Sequence, residues 1–160
     1  MKARTSVIQR RLSRLPTHDV RSGEPDIRGW LVLGADGHRI GRVRDLVVCL
    51  ASWRLRHVEI ALDRGLAYAS GADRVIVPAA CLELAPSRRV MHLRRITSEE
   101  MVHAPKLGAT PIGAEEELLL CRFFRCAFGP EEMTRFWGTR RLGREDAPYV
   151  AACKGSLVLA

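Results

Sequence analysis

The side chains with most chemistry to offer in this 160-residue chain are its five histidines and five cysteines. The histidines (His18, His38, His57, His92 and His103) are scattered, and none has the i, i+4 spacing or acidic partner of a metal-binding helix. His57 and His92 fall on predicted strands and are the pair that could meet across a sheet. The cysteines (Cys49, Cys81, Cys121, Cys126 and Cys153) are odd in number, contain no C-x-x-C pair and have no histidine at ligand spacing. That pattern argues against a structural zinc site or a disulfide framework. It leaves reduced thiols packed as small hydrophobes in a cytoplasmic protein. Asp26, Asp45, Glu59 and Asp63 could supply acid–base chemistry. Asp26 with Arg28 reads instead as a turn former, and Asp45 as the ion-pair partner of Arg42 or Arg44. The stretch "GADGHRIG" (34–41) joins two antiparallel strands and opens no helix, so it lacks a phosphate cradle. No Gly-x-Ser-x-Gly motif occurs. The reading is a non-enzymatic chain with no catalytic, cofactor-binding or metal-ligating residues.

Charge points to partners. The net charge is +8, and it is uneven. Residues 1–22 hold six basic side chains against one acidic, residues 23–96 twelve against eight, and residues 97–160 eight against nine. Arg4, Arg10, Arg11 and Arg14 lie in an acid-free stretch and are the expected contacts to an anionic surface or partner. Val7, Ile8, Leu12 and Leu15 fall near one face of a possible helix ended by Pro16, a pattern that can lie on a membrane surface. A basic tail ordered only in part against the domain is the competing reading. Among the barrel arginines, Arg42, Arg44, Arg54, Arg56, Arg94 and Arg95 could build a basic face for RNA. Trp30 is expected in the core, and Trp53 at an exposed turn. No run approaches the roughly 18–20 apolar residues of a membrane span, and the N-terminus lacks the apolar core of a secretory signal.

The elements that position these residues are mostly strands. "RGWLVL" (28–33) leads into the turn "GADG" (34–37), where Gly37 supplies a positive φ. In the returning strand the inward face slips by one at Gly41, which predicts a β-bulge that bends the sheet. "RLRHVEIAL" (54–62) turns Val58, Ile60 and Leu62 inward and leaves Arg56, His57 and Glu59 polar. A turn-rich loop (63–73), the strand "RVIVP" (74–78) stopped by Pro78, the segment "CLEL" and the strand "RVMHLRR" (89–95) follow. Five or six short strands at this spacing predict a small antiparallel barrel or sandwich. Beyond a linker (98–113), "AEEELLLCRFFRCAF" (114–128) reads as a helix with three glutamates in its first turn. A second short helix is expected over 131–141, and the apolar end "YVAACKGSLVLA" is expected to pack or pair as a strand.

The segments "PDIRGWLVLGADGHRIGRVRDLVV", "RHVEIAL", "VIVPAACLEL" and "RVMHL" together resemble the PRC-barrel family. The likeness rests on Asp26, Arg28, Gly29, Asp36, Gly37, Gly41, Asp45 and Pro78, and covers about half the chain. Such members often carry an acid after "DLVV", where this chain has Cys49. The resemblance implies a mainly β fold: a small antiparallel barrel over 23–97, preceded by a basic N-terminal tail (1–22) and followed by the linker and a C-terminal helical extension (114–160). It implies an interaction or adaptor module, a peripheral or assembly partner of a membrane complex such as a photosynthetic reaction centre. The alternative is RNA or ribosome association of the ribosome-maturation-factor kind. The apolar helix adds an expectation of its own. Leu119, Phe123, Phe124 and Phe128 are read as the interface of a homodimer, the competing reading being that residues 130–160 fold back and cover this face within one chain.

Overall fold

The structure, a computed structural model, describes residues 9–15, 19–20, 25–49, 54–108, 112–126, 137–142 and 147–152. The fold is mainly β, and its principal sheet curls into a half barrel. The spine of that sheet is an eleven-residue strand, β4 (Arg39–Cys49). On one side β4 pairs along its length with β5 (Arg54–Leu62). On the other, its first half pairs with β3 (Leu31–Leu33) and its last three residues with β1 (Gln9–Arg11). β6 (Arg74–Pro78) continues the sheet beyond β5. β8 (Val90–Leu93) and β7 (Leu82–Ala85) continue it beyond β3. Within this sheet the expected all-antiparallel pattern is broken where β3 and β8 run parallel.

The curl comes from three register slips. Opposite β3, Ile40 is the extra residue between the pairs Leu33–Arg39 and Val32–Gly41. Opposite β5, Arg44 is extra, and on β5 itself Arg56 is extra. Each slip adds local twist and bend. The slip expected at Gly41 falls instead on its neighbour Ile40 and on Arg44, and Gly41 itself stays paired with Val32 and Leu62. Gly41 does not adopt a left-handed φ. A Cβ there would lie 1.9 Å from the Ala61 carbonyl oxygen, so glycine is required by the close approach of β5. Gly37 does have positive φ (+78°) and closes the β3–β4 turn, its N–H donating to the Gly34 carbonyl at 2.9 Å.

The core lies in the hollow of the sheet and holds Trp30, Val32, Ile40, Val43, Leu46, Leu55, Val58 and Ile60. The opposite side of β4 and β5 is covered too. Residues 9–15 are not a free tail: β1 runs into a 3-10 turn (Leu12–Arg14) whose Leu12 joins the core. Helix α2 (Ala114–Phe124) buries Glu117, Leu120, Cys121 and Phe124, positions at i, i+3, i+4 and i+7 on one face. Its Glu116 carboxylate accepts from the Gly113 N–H at 2.6 Å, which satisfies one donor at the helix start. Phe124 is thus a buried core residue rather than an exposed one, and Phe123 packs half-buried against the same core. Leu118 and Leu119 are the helix residues left about half exposed.

Three further expectations change. Residues within the predicted loop 63–73 form helix α1 (Arg64–Ser70), stopped by left-handed Gly71. The linker contains a 3-10 turn (Glu100–His103) capped reciprocally: Thr97 Oγ1 accepts from the Glu100 N–H, and the Glu100 carboxylate accepts from the Thr97 N–H. Where a second helix was expected, strand β9 (Trp137–Leu142) pairs antiparallel with β10 (Ala147–Ala152). The strand expected near the end is therefore present. The short β2 (Asp19–Val20) pairs parallel with β10. Among the described residues, no helix is long and apolar enough to cross a membrane.

Candidate functional site: an arginine-lined cleft

Parallel pairing has a geometric consequence. It places the entrances of β3 and β8 side by side, with Leu31 opposite Val90. Antiparallel pairing sets Leu31 opposite Arg42 of β4. Three segments distant in sequence therefore meet at one end of the sheet, around a cleft of about 490 Å³.

Each wall is built locally. Asp26 accepts from the Arg28 backbone N–H at 3.0 Å and from its Nε at 2.9 Å, folding the chain into a turn. Gly29, at φ +84°, completes that turn and donates to the Val43 carbonyl at 2.7 Å. Burial opposes ionisation of Asp26. The hydrogen bonds and charge of Arg28 outweigh it and hold the carboxyl below its ordinary range. Arg42 Nη1 donates to the Gly29 carbonyl at 3.0 Å, bracing the turn against β4. The third wall is a 3-10 turn (Pro86–Arg88) and Arg89, which sits at φ +53°. A left-handed non-glycine residue is uncommon and strained. Here it lets two adjacent arginines reach the cleft before β8 begins. Arg28, Arg42, Arg88 and Arg89 thus line the cleft against one carboxylate, Asp26. Trp30 forms part of its floor but is only 7% exposed.

The other arginines are differently placed. Glu59 is 1% exposed and faces three of them: Arg11, Arg44 at 3.5 Å and Arg74 at 3.6 Å. Buried Glu117 accepts from Arg56 Nη2 at 2.8 Å and from Gln9 at 3.3 Å, with His57 Nε2 at 3.8 Å. Burial first, then the Arg56 charge, pushes His57 down to about 3, so it is neutral at ordinary pH. His57 and Glu59 are therefore interior groups, not the solvent-facing polar residues their strand pattern suggested. Asp45 does not pair with Arg42 or Arg44. It accepts from the Ser13 N–H at 3.2 Å, from the Ser13 hydroxyl and from the Leu46 N–H at 2.8 Å. These contacts fasten the N-terminal segment to β4 and β5.

The expected basic face is accordingly dispersed. Of its members only Arg42 lines the cleft. Arg94 pairs with Glu83 at 3.0 Å, and Arg95 donates to the Arg125 carbonyl at 2.6 Å. Of the N-terminal arginines, Arg10 and Arg14 are exposed and Arg11 is engaged with Glu59. Arg4, Trp53 and Phe128 lie outside the described residues. Pro78 ends β6 opposite His57, as a strand stop should. His57 and His92 do not meet, since β4 and β3 lie between their strands. Among the described residues no group of histidine, cysteine or acidic side chains is arranged to hold a metal ion. Sequence reasoning missed Arg88 and Arg89. The only local signal was "PSRR" at a turn, and nothing local says which turn it faces.

No protein-family model matches the chain, and no curated protein is detectably similar to it.

Proposed function

We propose that the chain is a non-enzymatic interaction module of the PRC-barrel kind, which holds a protein partner by an acidic segment seated in the arginine-lined cleft. The observation that carries this reading is the charge of the cleft: among the described residues that line it are four guanidiniums and a single carboxylate, itself tied to Arg28. Guanidinium forks match carboxylates in two-point geometry, and a cleft wall shields such pairs better than open surface does. RNA fits less well. Single-stranded bases need exposed aromatic faces, and the cleft's only aromatic, Trp30, is almost wholly buried. In this reading the partner belongs to a membrane-associated complex such as a photosynthetic reaction centre. Exposed Arg10 and Arg14 add attraction to an anionic surface. Self-association through Leu118 and Leu119 completes the proposal, and light scattering of Leu119→Glu tests that part.

The cleft is tested with a fluorescent poly-glutamate peptide, with structured RNA as competitor. The double variant Arg88→Ser/Arg89→Asn keeps a turn-compatible residue at the left-handed position and removes two charges. Peptide binding should weaken at least tenfold in the variant and decline with added salt. Equal binding by both proteins rejects the cleft. Tighter binding of RNA than of peptide by the wild type replaces the protein partner with nucleic acid.

A further inference from the structure

Three of the cysteines converge although they lie on different elements. Cys81 closes the 3-10 turn (Ala79–Cys81) between β6 and β7. Cys121 lies in α2, and Cys126 lies just past its end. The approach is made by the left-handed Arg125, which turns the chain back so that the Cys126 N–H donates to the Cys121 carbonyl at 3.2 Å. The Cys81 thiol donates to the Phe124 carbonyl oxygen at 3.9 Å, which sets its sulfur beside the turn that carries Cys126. The same corner is clamped from the sheet: the Arg94 N–H donates to the Cys81 carbonyl at 3.3 Å, and Arg95 holds the Arg125 carbonyl. Cys81 and Cys121 are buried, whereas Cys126 is partly open to solvent. All three are free thiols.

We propose that Cys126 and Cys81 form a thiol pair that reacts with hydroperoxides, Cys126 being oxidised first and Cys81 then closing a disulfide with it. The Cys126 thiolate attacks the outer oxygen of ROOH. The O–O bond breaks, RO⁻ takes up a proton and leaves as ROH, and Cys126 becomes a sulfenic acid. The Cys81 sulfur then attacks the Cys126 sulfur. The S–O bond breaks, and hydroxide leaves with the Cys81 proton as water. Two thiols lose two electrons in all, and the hydroperoxide gains them.

The electrostatics suit these roles. The hydrogen bond from Cys81 lowers Cys126 to about 7 against the opposing effect of burial, with Cys121 and the Arg95 charge acting in the same direction. Cys81 is raised, first by donating that bond and then by burial. Both its hydrogen bond to a thiolate and the repulsion from it vanish once Cys126 is oxidised, which frees Cys81 for the second step. The product ties the end of α2 to the β6–β7 turn.

The test uses the full chain and hydrogen peroxide. Intact mass should fall by about 2 Da, the loss of two hydrogens, and non-reducing peptide mapping should link Cys81 to Cys126. Cys81→Ala should instead accumulate a dimedone-reactive sulfenic acid on Cys126, while Cys121→Ala should still form the bond. Alkylation of Cys126 in the untreated wild type should follow a titration midpoint near 7 rather than about 8.5. This last readout needs no variant to fold. A link that joins Cys121 or Cys153 to Cys126, or a chain whose mass is unchanged at peroxide doses that oxidise a free thiol, overturns the proposal.

Discussion

Two parts of this molecule are rich in arginine, and they use it in opposite ways. Beneath the N-terminal segment, Arg11, Arg44 and Arg74 face buried Glu59, and Arg56 is matched to Glu117. At the far end of β3, Arg28, Arg42, Arg88 and Arg89 surround an open cleft with one carboxylate among them. In the first region the chain supplies its own anions, so the guanidiniums serve the fold. In the second, the described residues that line the cleft set one carboxylate, Asp26, among four guanidiniums. Even a second cleft, of about 330 Å³, has two of its cations, Arg11 and Arg74, committed to Glu59. Positive charge alone therefore does not distinguish the two regions; the placement of internal carboxylates does.

The strongest way to break this contrast is Glu59→Gln. It leaves Arg11 only 17% exposed with no carboxylate, and breaking a buried pair in this way costs about 3–5 kcal/mol. Chemical denaturation should show the loss, and stability within experimental error of wild type would mean the cluster is only a surface feature. The second probe is pH. His57 is neutral in the fold because its value is lowered to about 3, whereas an unfolded histidine protonates near 6.5. Between about pH 6.5 and 3 the unfolded chain therefore binds a proton that the folded chain refuses. Stability is full above that window and declines as pH falls through it, by a few kcal/mol in all. His57→Gln should flatten this part of the stability curve, and a slope that survives the substitution assigns it elsewhere.

Gly41→Val acts on the strand that serves both regions. Its side chain meets the Ala61 carbonyl, and forcing β4 from β5 should cost about 1–3 kcal/mol. Its amide spectrum should move at residues of β5, where the strands are pushed apart. A spectrum and a stability both unchanged would refute the close approach. The smallest expected effect on folding comes from Arg88→Ser/Arg89→Asn, within about 0.5 kcal/mol of wild type. A large destabilisation there would place the cleft arginines with the structural ones and erase the contrast.

Much of the local structure was legible. Asp36-Gly37 marked its turn, Asp26 and Arg28 theirs, and the misplaced Val43 betrayed a slip that falls beside Gly41, at Ile40 and Arg44. The run of Glu115 to Glu117 before leucines marked the start of α2. These features follow from dihedral preference and periodicity, which a few neighbouring residues decide. What the sequence could not disclose is which distant segments become neighbours. The parallel β3–β8 pair joins residues about sixty positions apart, and together with the antiparallel β3–β4 pair it makes Arg28, Arg42, Arg88 and Arg89 one site. Alternation placed Val58 and Ile60 inward but could not say that β1 and α2 would cover the other face of β5 and bury His57 and Glu59. It read residues 137–141 as helix where pairing with β10 makes strand, because a short segment with no clear period takes its conformation from its partner. The sequence by itself determined the turns at Asp26–Arg28 and Asp36–Gly37 and the start of α2. Only the tertiary structure decided which arginines find a carboxylate within the fold, because that depends on the burial and pairing of the whole chain at once.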